Sequence, residues 1–265
     1  MKKFLVVGNP INHSLSPQLH NYWFKENNIK ATYEKILLKQ EDIKKIIKSI
    51  ETGEVQGVNV TLPHKKAVIP FLDELTLIAK QTQSVNTIFT KNGKIVGDNT
   101  DSEGFKKALE HTKFEIKNKS ALILGAGGVV PSIIYALKKL DISRINVSNR
   151  TKGYAEEIKK IYPFINVIDW GTIQNSDIII NATSLGLNKE DKIDLDFKNI
   201  GKNKLFYDLI YNPSKTNFLL KGEETGNKIE NGKLMFAFQA QLSFSIWTGV
   251  EPKVDNKVLE ILNND

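Results

Sequence analysis

The sequence contains no cysteine. This absence excludes disulfide bonds, thiolate nucleophiles, zinc ribbons and cysteine-ligated iron–sulfur clusters. A long apolar run is missing at the start as well. The run that begins at Phe4 ends at Gly8, far short of a signal-peptide core or a membrane span. We interpret residues 4–7 as a first buried strand, and we expect a cytoplasmic protein.

Arginine is scarce, since Arg144 and Arg150 are the only arginines among 37 basic residues. The net charge is +7, yet the lysines are interspersed with glutamates, as in residues 41–48, and form no long basic block. This pattern favours a solvated surface over a nucleic-acid interface. A modest positive field would still attract a carboxylate substrate or a phosphate-rich cofactor. The four histidines show no established ligand spacing, so we predict no metal site.

Apolar runs of strand length alternate with segments of helical period, which predicts an α/β fold with mostly parallel sheets. A second such series begins near residue 121 and is typical of a doubly wound nucleotide domain. A polar stretch over residues 113–119 follows an amphipathic helix and marks a boundary between the two series. We therefore predict a first domain over 1–112, a Rossmann-type domain over 113–236, and C-terminal helices over 237–265 that return to the first domain.

A glycine-rich turn, Gly125-Ala126-Gly127-Gly128, follows a predicted strand and opens a predicted helix. Glycines at such a turn let the backbone approach a pyrophosphate at the positive end of a helix. The pattern is incomplete because Val130 occupies the position where a third small residue is usual. A tight strand-to-helix turn without a ligand therefore remains the alternative.

The second strand of this domain ends in Asn149-Arg150-Thr151 and carries no acid there. Domains that bind NAD usually place a carboxylate at this point to hold the ribose hydroxyls, whereas a guanidinium suits the 2′-phosphate of NADP. The sequence therefore favours NADP. The alternative is a surface arginine beside an N-capping Thr151.

Polar residues also cluster in the first domain. Ser14 and Ser16 precede a predicted helix with Pro17 in its first turn, so we expect Ser16 to act at least as an N-cap, and the pair could bind a carboxylate. Asn59, Thr61 and Lys65 lie at the end of a predicted buried strand, where open α/β sheets bind ligands. A single lysine is usually a solvated surface charge, and spacing alone does not make Lys65 catalytic.

Taken together and in order, these motifs resemble the shikimate dehydrogenase family over nearly the whole chain. The motifs are Gly8-Asn9-Pro10-Ile11 with His13-Ser14-Leu15-Ser16-Pro17, Asn59-Val60-Thr61-Leu62-Pro63 with Lys65, Val85-Asn86-Thr87, Asn99-Thr100-Asp101 with Gly104, Gly125-Ala126-Gly127-Gly128, Asn149-Arg150-Thr151, Asn181-Ala182-Thr183-Ser184 with Gly186, Asp208 with Tyr211 and Pro213, and Gly232 and Met235 with Gln239-Ala240.

The resemblance implies a role for each matching residue. Lys65 paired with Asp101 would be the acid–base group. Ser14 and Ser16 would bind the substrate carboxylate, and Tyr211 would help to close that end. The ring hydroxyls would be bound by Asn59, Thr61, Asn86, Asp101 and Gln239. NADP would be surrounded by Gly125, Ala126, Gly127, Gly128, Val129, Asn149, Arg150, Thr151, Thr183, Leu209, Gly232 and Met235.

The resemblance also implies an activity, the NADPH-dependent reversible reduction of 3-dehydroshikimate to shikimate in aromatic amino acid biosynthesis. We expect with it a small-molecule substrate and a monomer or homodimer. We expect neither nucleic acid nor a membrane as a partner. The alternatives are an NAD-dependent quinate/shikimate dehydrogenase and a non-catalytic sensor of shikimate or nucleotide. Tyr154 departs from the family pattern, because it stands where a further arginine is common.

Overall fold

The computed structural model describes residues 1–173, 175–188, 190–197 and 200–263. The chain forms two compact units. The first unit contains Met1–Gly104 together with the C-terminal segment that begins at Phe236, and the second contains Phe105–Met235. The division falls inside two helices, whereas the boundaries expected from the sequence lie at 112/113 and 236/237. A polar loop is visible in the sequence, but a change of packing partner within a helix leaves no compositional mark.

The elements alternate along the chain. The first unit begins with β1 (Lys2–Gly8), α1 (Ser16–Glu26), β2 (Ala31–Leu37), α2 (Ile43–Glu51), β3 (Gly57–Val60), β4 (Glu74–Leu75), α3 (Leu77–Thr82), β5 (Thr87–Lys91) and β6 (Lys94–Asp98). The chain continues with α4 (Asp101–His111), β7 (Ser120–Leu124), α5 (Val130–Lys139), β8 (Arg144–Ser148), α6 (Lys152–Ile161), β9 (Asn166–Ile168), β10 (Ile178–Asn181), β11 (Leu205–Asp208), α7 (Asn217–Glu224) and β12 (Lys228–Glu230). It ends with α8 (Lys233–Thr248) and α9 (Asn256–Ile261).

The sheet of the first unit has the strand order β2-β1-β3-β5-β6-β4. It is mixed, because β5 runs antiparallel to both β3 and β6. The prediction of a mostly parallel sheet therefore missed this strand. Strand β5 runs antiparallel to β6 because a tight turn at Asn92-Gly93 joins the two strands as a hairpin. Both turn residues have positive φ.

The sheet of the second unit has the strand order β12-β11-β10-β7-β8-β9, and all its pairs are parallel. Strands β7, β10 and β11 are buried along their whole length, as expected of a sheet covered on both faces. The order reverses between β7 and β10, and this reversal is the point at which doubly wound sheets bind ligands. The predicted α/β class with a Rossmann-type domain is confirmed.

The C-terminal helices belong to the first unit, which is the return that the sequence predicts. The Trp247 indole of α8 donates to the carbonyl of Ile88 at 3.2 Å, and the Trp23 indole of α1 donates to the carbonyl of Lys253 at 3.3 Å. Phe244 packs against Trp23 and Phe24. Among the described residues, no helix combines the length and apolar character needed to cross a membrane.

Candidate active site

A buried ion pair lies beside the end of β3. The Nζ atom of Lys65 is 2.5 Å from Oδ2 of Asp101, and the two side chains are 12% and 7% exposed. The turn that carries the lysine is held on both sides. His64 is buried with Nε2 at 2.8 Å from the carbonyl of Leu38, and the backbone amide of Val85 donates to the carbonyl of Lys65 at 2.9 Å. Removing two charges from water costs free energy that their mutual attraction seldom outweighs. Stability alone therefore does not explain a pair this deeply buried.

Asn86 fixes the second oxygen of that carboxylate. Its Nδ2 donates to Oδ1 of Asp101 at 2.9 Å, and its Oδ1 accepts from the backbone amide of Thr100 at 2.8 Å. The same Nδ2 lies 3.4 Å from Oε1 of Gln239 on α8. The structure thus brings Lys65, Asp101, Asn86 and Gln239 together. The two residues to which the family resemblance assigns acid–base chemistry therefore form an ion pair, in which an oriented carboxylate holds the ammonium in one place.

Asn59 occupies the next layer and is almost wholly engaged within the protein. Its Oδ1 accepts from the Tyr33 hydroxyl at 2.6 Å. Its Nδ2 donates to the carbonyl of Asn86 at 3.0 Å, to Oγ1 of Thr87 at 3.1 Å and to Oγ of Ser243 at 2.9 Å. Both amide protons are therefore used, and only the remaining lone pair of Oδ1 is left for a ligand.

Ser14 and Ser16 lie at the start of α1. The expectation that Ser16 is an N-cap is wrong, because the N-cap residue is Leu15 and Ser16 is the first helical residue. Ser14 Oγ instead accepts from the backbone amide of Ser16 at 3.3 Å. Ser16 is buried. Thr61 is half-buried, and none of the described residues pairs with its hydroxyl.

The glycine-rich turn of the second unit lies at the switch point between β7 and β10. Gly125 has a φ of 109°, and a Cβ there would lie 2.8 Å from the carbonyl oxygen of Ala182 at the end of β10, so only glycine fits. Gly127 and Gly128 are exposed, and a Cβ on Gly127 would meet open space. The half-buried Ala126 lies between Gly125 and Gly127, and Val129 is the N-cap residue of α5. This open turn before a helix N-terminus fits a pyrophosphate.

Arg150 follows β8 with an exposed side chain, and none of the described residues pairs with its guanidinium. Asn149 Nδ2 donates to the carbonyl of Thr151 at 2.8 Å, which shapes the turn around the arginine. Thr151 is the N-cap residue of α6, but its side chain makes no capping hydrogen bond. The neighbouring Lys152 is paired with Asp169 at 2.8 Å. Arg150 is thus free to meet an anion.

The ends of β10 and β11 share a buried polar network. The Asn181 amide donates to Oδ1 of Asp208 at 3.0 Å, and its own oxygen accepts from the Thr183 hydroxyl at 2.7 Å. Asp208 also accepts from the Thr216 hydroxyl at 2.5 Å and from the backbone amide of Ile210 at 3.0 Å. Burial raises the pKa of Asp208 from 3.8 to about 6, against the effect of these donors.

The remaining predicted cofactor residues lie beside this network. The backbone amide of Leu209 donates to the carbonyl of Asn181 at 3.0 Å. Gly232 is buried against the same segment, since a Cβ there would lie 2.1 Å from the carbonyl oxygen of Leu209. Met235 is buried at the start of α8. Tyr211 also belongs to the second unit, where burial raises the pKa of its hydroxyl.

Several residues of these networks escape sequence reasoning. They are Tyr33, Thr87, Thr100 and Ser243 around Asn59 and Asn86, and Asn181, Asp208 and Thr216 in the second unit. Most of them stand inside or next to the family motifs, but Tyr33 and Ser243 carry no local signal. Among the described residues, no cluster of three or more histidine, aspartate or glutamate side chains could hold a metal ion.

Two family models match the chain. The shikimate dehydrogenase substrate binding domain matches residues 6–88, and the shikimate/quinate 5-dehydrogenase model matches residues 107–209. The chain belongs to the shikimate dehydrogenase family. A shikimate dehydrogenase (NADP(+)) of Pelagibacter ubique is 54% identical over 262 residues, which cover 99% of each chain.

Solved structures of the family have the same fold. The shikimate dehydrogenase of Aquifex aeolicus is 36% identical, with a TM-score of 0.91 over 100% of this chain and 98% of that one. The shikimate 5-dehydrogenase of Thermus thermophilus, solved in complex with NADP(H) and shikimate, is 30% identical, with a TM-score of 0.90 over 99% of this chain and 98% of that one. The family resemblance inferred from the motifs is confirmed.

Proposed function

We propose that this protein catalyses the NADPH-dependent, reversible reduction of 3-dehydroshikimate to shikimate in the biosynthesis of aromatic amino acids. The observation that carries the proposal is the Lys65–Asp101 pair, which Asn86 and Gln239 surround in a chain of the shikimate dehydrogenase family. The substrate is a small carboxylate with a ketone and neighbouring hydroxyls. Each of these groups has a counterpart among the polar residues of the first unit.

The substrate carboxylate would be held by Ser14 and Ser16 at the N-terminal end of α1, where hydroxyls and the helix dipole both favour an anion. Thr61, Asn86 and Gln239 would hydrogen-bond the ring hydroxyls. Asn59 would contact the substrate only through the free lone pair of Oδ1, and its main work would be to hold the Asn86 backbone. Tyr211 would help to close the carboxylate end.

Lys65 would control the proton. In the reduction, the ketone oxygen gains negative charge, and an ammonium group beside it both stabilises that charge and supplies the proton. Asp101 would hold the lysine through Oδ2 while Asn86 holds Oδ1, so the ammonium cannot swing away from the ketone oxygen. In the oxidation of shikimate, Lys65 would take the proton back from the hydroxyl.

The second unit fits NADP. The reduced nicotinamide, when bound, supplies the hydride that the ketone carbon accepts. The glycines at residues 125, 127 and 128 with Ala126 and Val129 would hold the pyrophosphate, and Asn149, Arg150 and Thr151 would hold the 2′-phosphate. Thr183, Leu209, Gly232 and Met235 would line the rest of the site. The open space beside Gly127 and the unpaired Arg150 support this assignment.

Two other functions compete with this one. An NAD-dependent quinate/shikimate dehydrogenase shares the family, but β8 ends without the acid that would hold the ribose of NAD. A non-catalytic sensor would have no reaction for the buried Lys65–Asp101 pair to serve, and a buried ion pair is weak support for stability by itself.

The oxidation of NADPH and of NADH in the presence of 3-dehydroshikimate, followed by the loss of reduced nicotinamide absorbance, separates the three functions. The proposal expects turnover with a clear preference for NADPH. Turnover with a preference for NADH, or with quinate as the better substrate in the reverse direction, would favour the quinate/shikimate enzyme. Binding of shikimate without any turnover would favour the sensor.

We also propose that the protein works in the cytoplasm as a monomer or homodimer, without nucleic acid as a partner. The lack of cysteine and the dispersed lysines support this setting. Light scattering of the purified protein at several concentrations tests the oligomeric state, and retention on a duplex DNA column at physiological salt tests the last point.

A further inference from the structure

Tyr33 on β2 contacts the predicted substrate site from beneath Asn59. The residue is 2% exposed, and its hydroxyl donates to Oδ1 of Asn59 at 2.6 Å. Asn59 is one of the residues that would face the ring hydroxyls, so the phenol oxygen is one hydrogen bond away from the end that would bind them.

Tyr33 is held through both its backbone and its ring. The Asn21 amide makes two hydrogen bonds to the backbone of Tyr33, with its Nδ2 donating to the carbonyl and its Oδ1 accepting from the amide, both at 2.9 Å. The His20 ring stacks on the phenol ring at a centroid distance of 4.2 Å and an angle of 4°. Neither ring nitrogen of His20 has a hydrogen-bond partner among the described residues, so this ring serves packing. A phenol this tightly held fixes its hydroxyl with little freedom.

The partner of that hydroxyl determines which way the Asn59 amide faces. Because Oδ1 accepts from Tyr33, Nδ2 must face Asn86, Thr87 and Ser243. The carbonyl of Asn86 is thereby held, and the side chain of the same residue contacts Asp101. Without the phenol hydroxyl, Oδ1 of Asn59 would be left in a buried position with one donor fewer, and the amide would lose its orientation.

We propose that Tyr33 is a positioning residue of the substrate site, whose hydroxyl sets the orientation of the Asn59 amide. The inference rests on the proposed function. Its consequence is that Tyr33 acts on substrate affinity and not on cofactor binding or proton transfer, because the Asn86 side chain that holds Asp101 is itself fixed by the backbone amide of Thr100 and does not depend on Asn59.

The test compares Tyr33→Phe with Tyr207→Phe in the full-length protein. Tyr207 is also a buried tyrosine, but no described residue hydrogen-bonds its hydroxyl, so its variant controls for the loss of a buried hydroxyl. We expect Tyr33→Phe to raise the KM for shikimate about 3- to 10-fold, the effect of one lost hydrogen bond, with kcat and the KM for NADP+ changed less than about twofold. Tyr207→Phe should leave all three unchanged.

A double-mutant cycle with Asn59→Ala separates positioning from simple support of the fold. If the hydroxyl acts through Asn59, Tyr33→Phe should raise KM less in the Asn59→Ala background than in the wild type. A KM that stays at the wild-type value in Tyr33→Phe, or effects that add fully, would overturn the inference. Wild-type protein that shows no turnover at all would instead count against the proposed function, so the two failures are distinct.

Should Tyr33→Phe fail to fold, Asn21→Ala provides the second variant. Asn21 is exposed, and its replacement removes the two hydrogen bonds to the Tyr33 backbone while the Tyr33 side chain stays unchanged. The inference expects a raised KM for shikimate with a normal KM for NADP+. An unchanged KM for shikimate in a folded Asn21→Ala protein would contradict it.

Discussion

The ammonium of Lys65 is 2.5 Å from a carboxylate oxygen of Asp101, and both side chains are nearly excluded from solvent. Other ion pairs of the described chain, such as Lys152–Asp169, are largely exposed and contribute little to stability. A buried pair is seldom better for stability than apolar residues of the same volume. The placement of this pair among Asn86 and Gln239 is therefore best explained by chemistry on a bound polar substrate.

Replacement of Lys65 by methionine should remove the proton donor and keep the volume of the side chain. We expect kcat to fall by roughly 100- to 10,000-fold, the range for a positioned acid–base group, while the dissociation constant of shikimate changes little. Steady-state kinetics and calorimetric binding of shikimate measure the two quantities. Loss of the ammonium leaves Asp101 unpaired and buried, so the melting temperature should be recorded as well.

Lys66→Met is the matched control for this variant, since Lys66 is the next residue and is exposed. It should retain the wild-type kcat. If Lys65→Met also turns over at close to the wild-type rate, Lys65 has no part in the reaction and the ion pair is structural.

Replacement of both Ser14 and Ser16 by alanine should weaken the hold on the substrate carboxylate. Each lost hydrogen bond to a charged group costs about 1.5–3 kcal/mol, and this cost should appear in KM far more than in kcat because the carboxylate does not react. Ser49→Ala on α2 controls for loss of a helix serine. A double variant that melts earlier yet keeps its KM would limit the two serines to a structural role.

The sequence points to those parts of the candidate site that stand in local patterns. Arg150 follows a predicted strand, and Gly125 opens a glycine-rich turn between a predicted strand and a predicted helix. The β5–β6 hairpin was missed, although Asn92-Gly93 at its turn is a strong hairpin signal. Tyr33 was not predictable, because its role depends on a hydrogen bond to Asn59, which is far from it in the sequence. Ser16 was misplaced by one position because a helix start with Pro17 in the first turn fits either register.

The stability of the second unit should depend on pH through Asp208. Burial raises its pKa in the folded protein to about 6, whereas an unfolded chain has the ordinary value near 3.8. Between these values the folded state holds the proton and the unfolded state releases it, so the free energy of unfolding falls as pH rises. Below this interval both states are protonated, and above it both are ionised. A shift of this size corresponds to on the order of 3 kcal/mol.

Urea unfolding of the wild type and of Asp208→Asn, at mildly acidic and at neutral pH, tests this dependence. The asparagine variant should gain stability relative to the wild type as pH rises through the interval. His20 titrates in the opposite sense, because burial lowers its pKa to about 3, but it contributes equally to both proteins and cancels in the comparison. A difference between the two proteins that does not change with pH would show that Asp208 is ionised throughout.

Cofactor preference should depend on Arg150. Its guanidinium is exposed and has no partner among the described residues, so it can meet a 2′-phosphate with two parallel charge-assisted hydrogen bonds. NADH lacks that phosphate. We expect Arg150→Ala to lower kcat/KM for NADPH by roughly 10- to 150-fold, or about 1.5–3 kcal/mol, and to leave kcat/KM for NADH nearly unchanged.

The preference should weaken and not reverse, because Asn149 and Thr151 remain beside the phosphate and no carboxylate appears at the end of β8 to hold the ribose of NADH. Lys152 is a poor substitute for the arginine while it is paired with Asp169. The control is Arg144→Ala, which removes the only other arginine of the chain from the opposite end of the same strand. It should keep the ratio of kcat/KM for the two cofactors. A wild type that already prefers NADH, or an Arg150→Ala variant with the wild-type ratio, would remove Arg150 from the cofactor site and favour the quinate/shikimate enzyme.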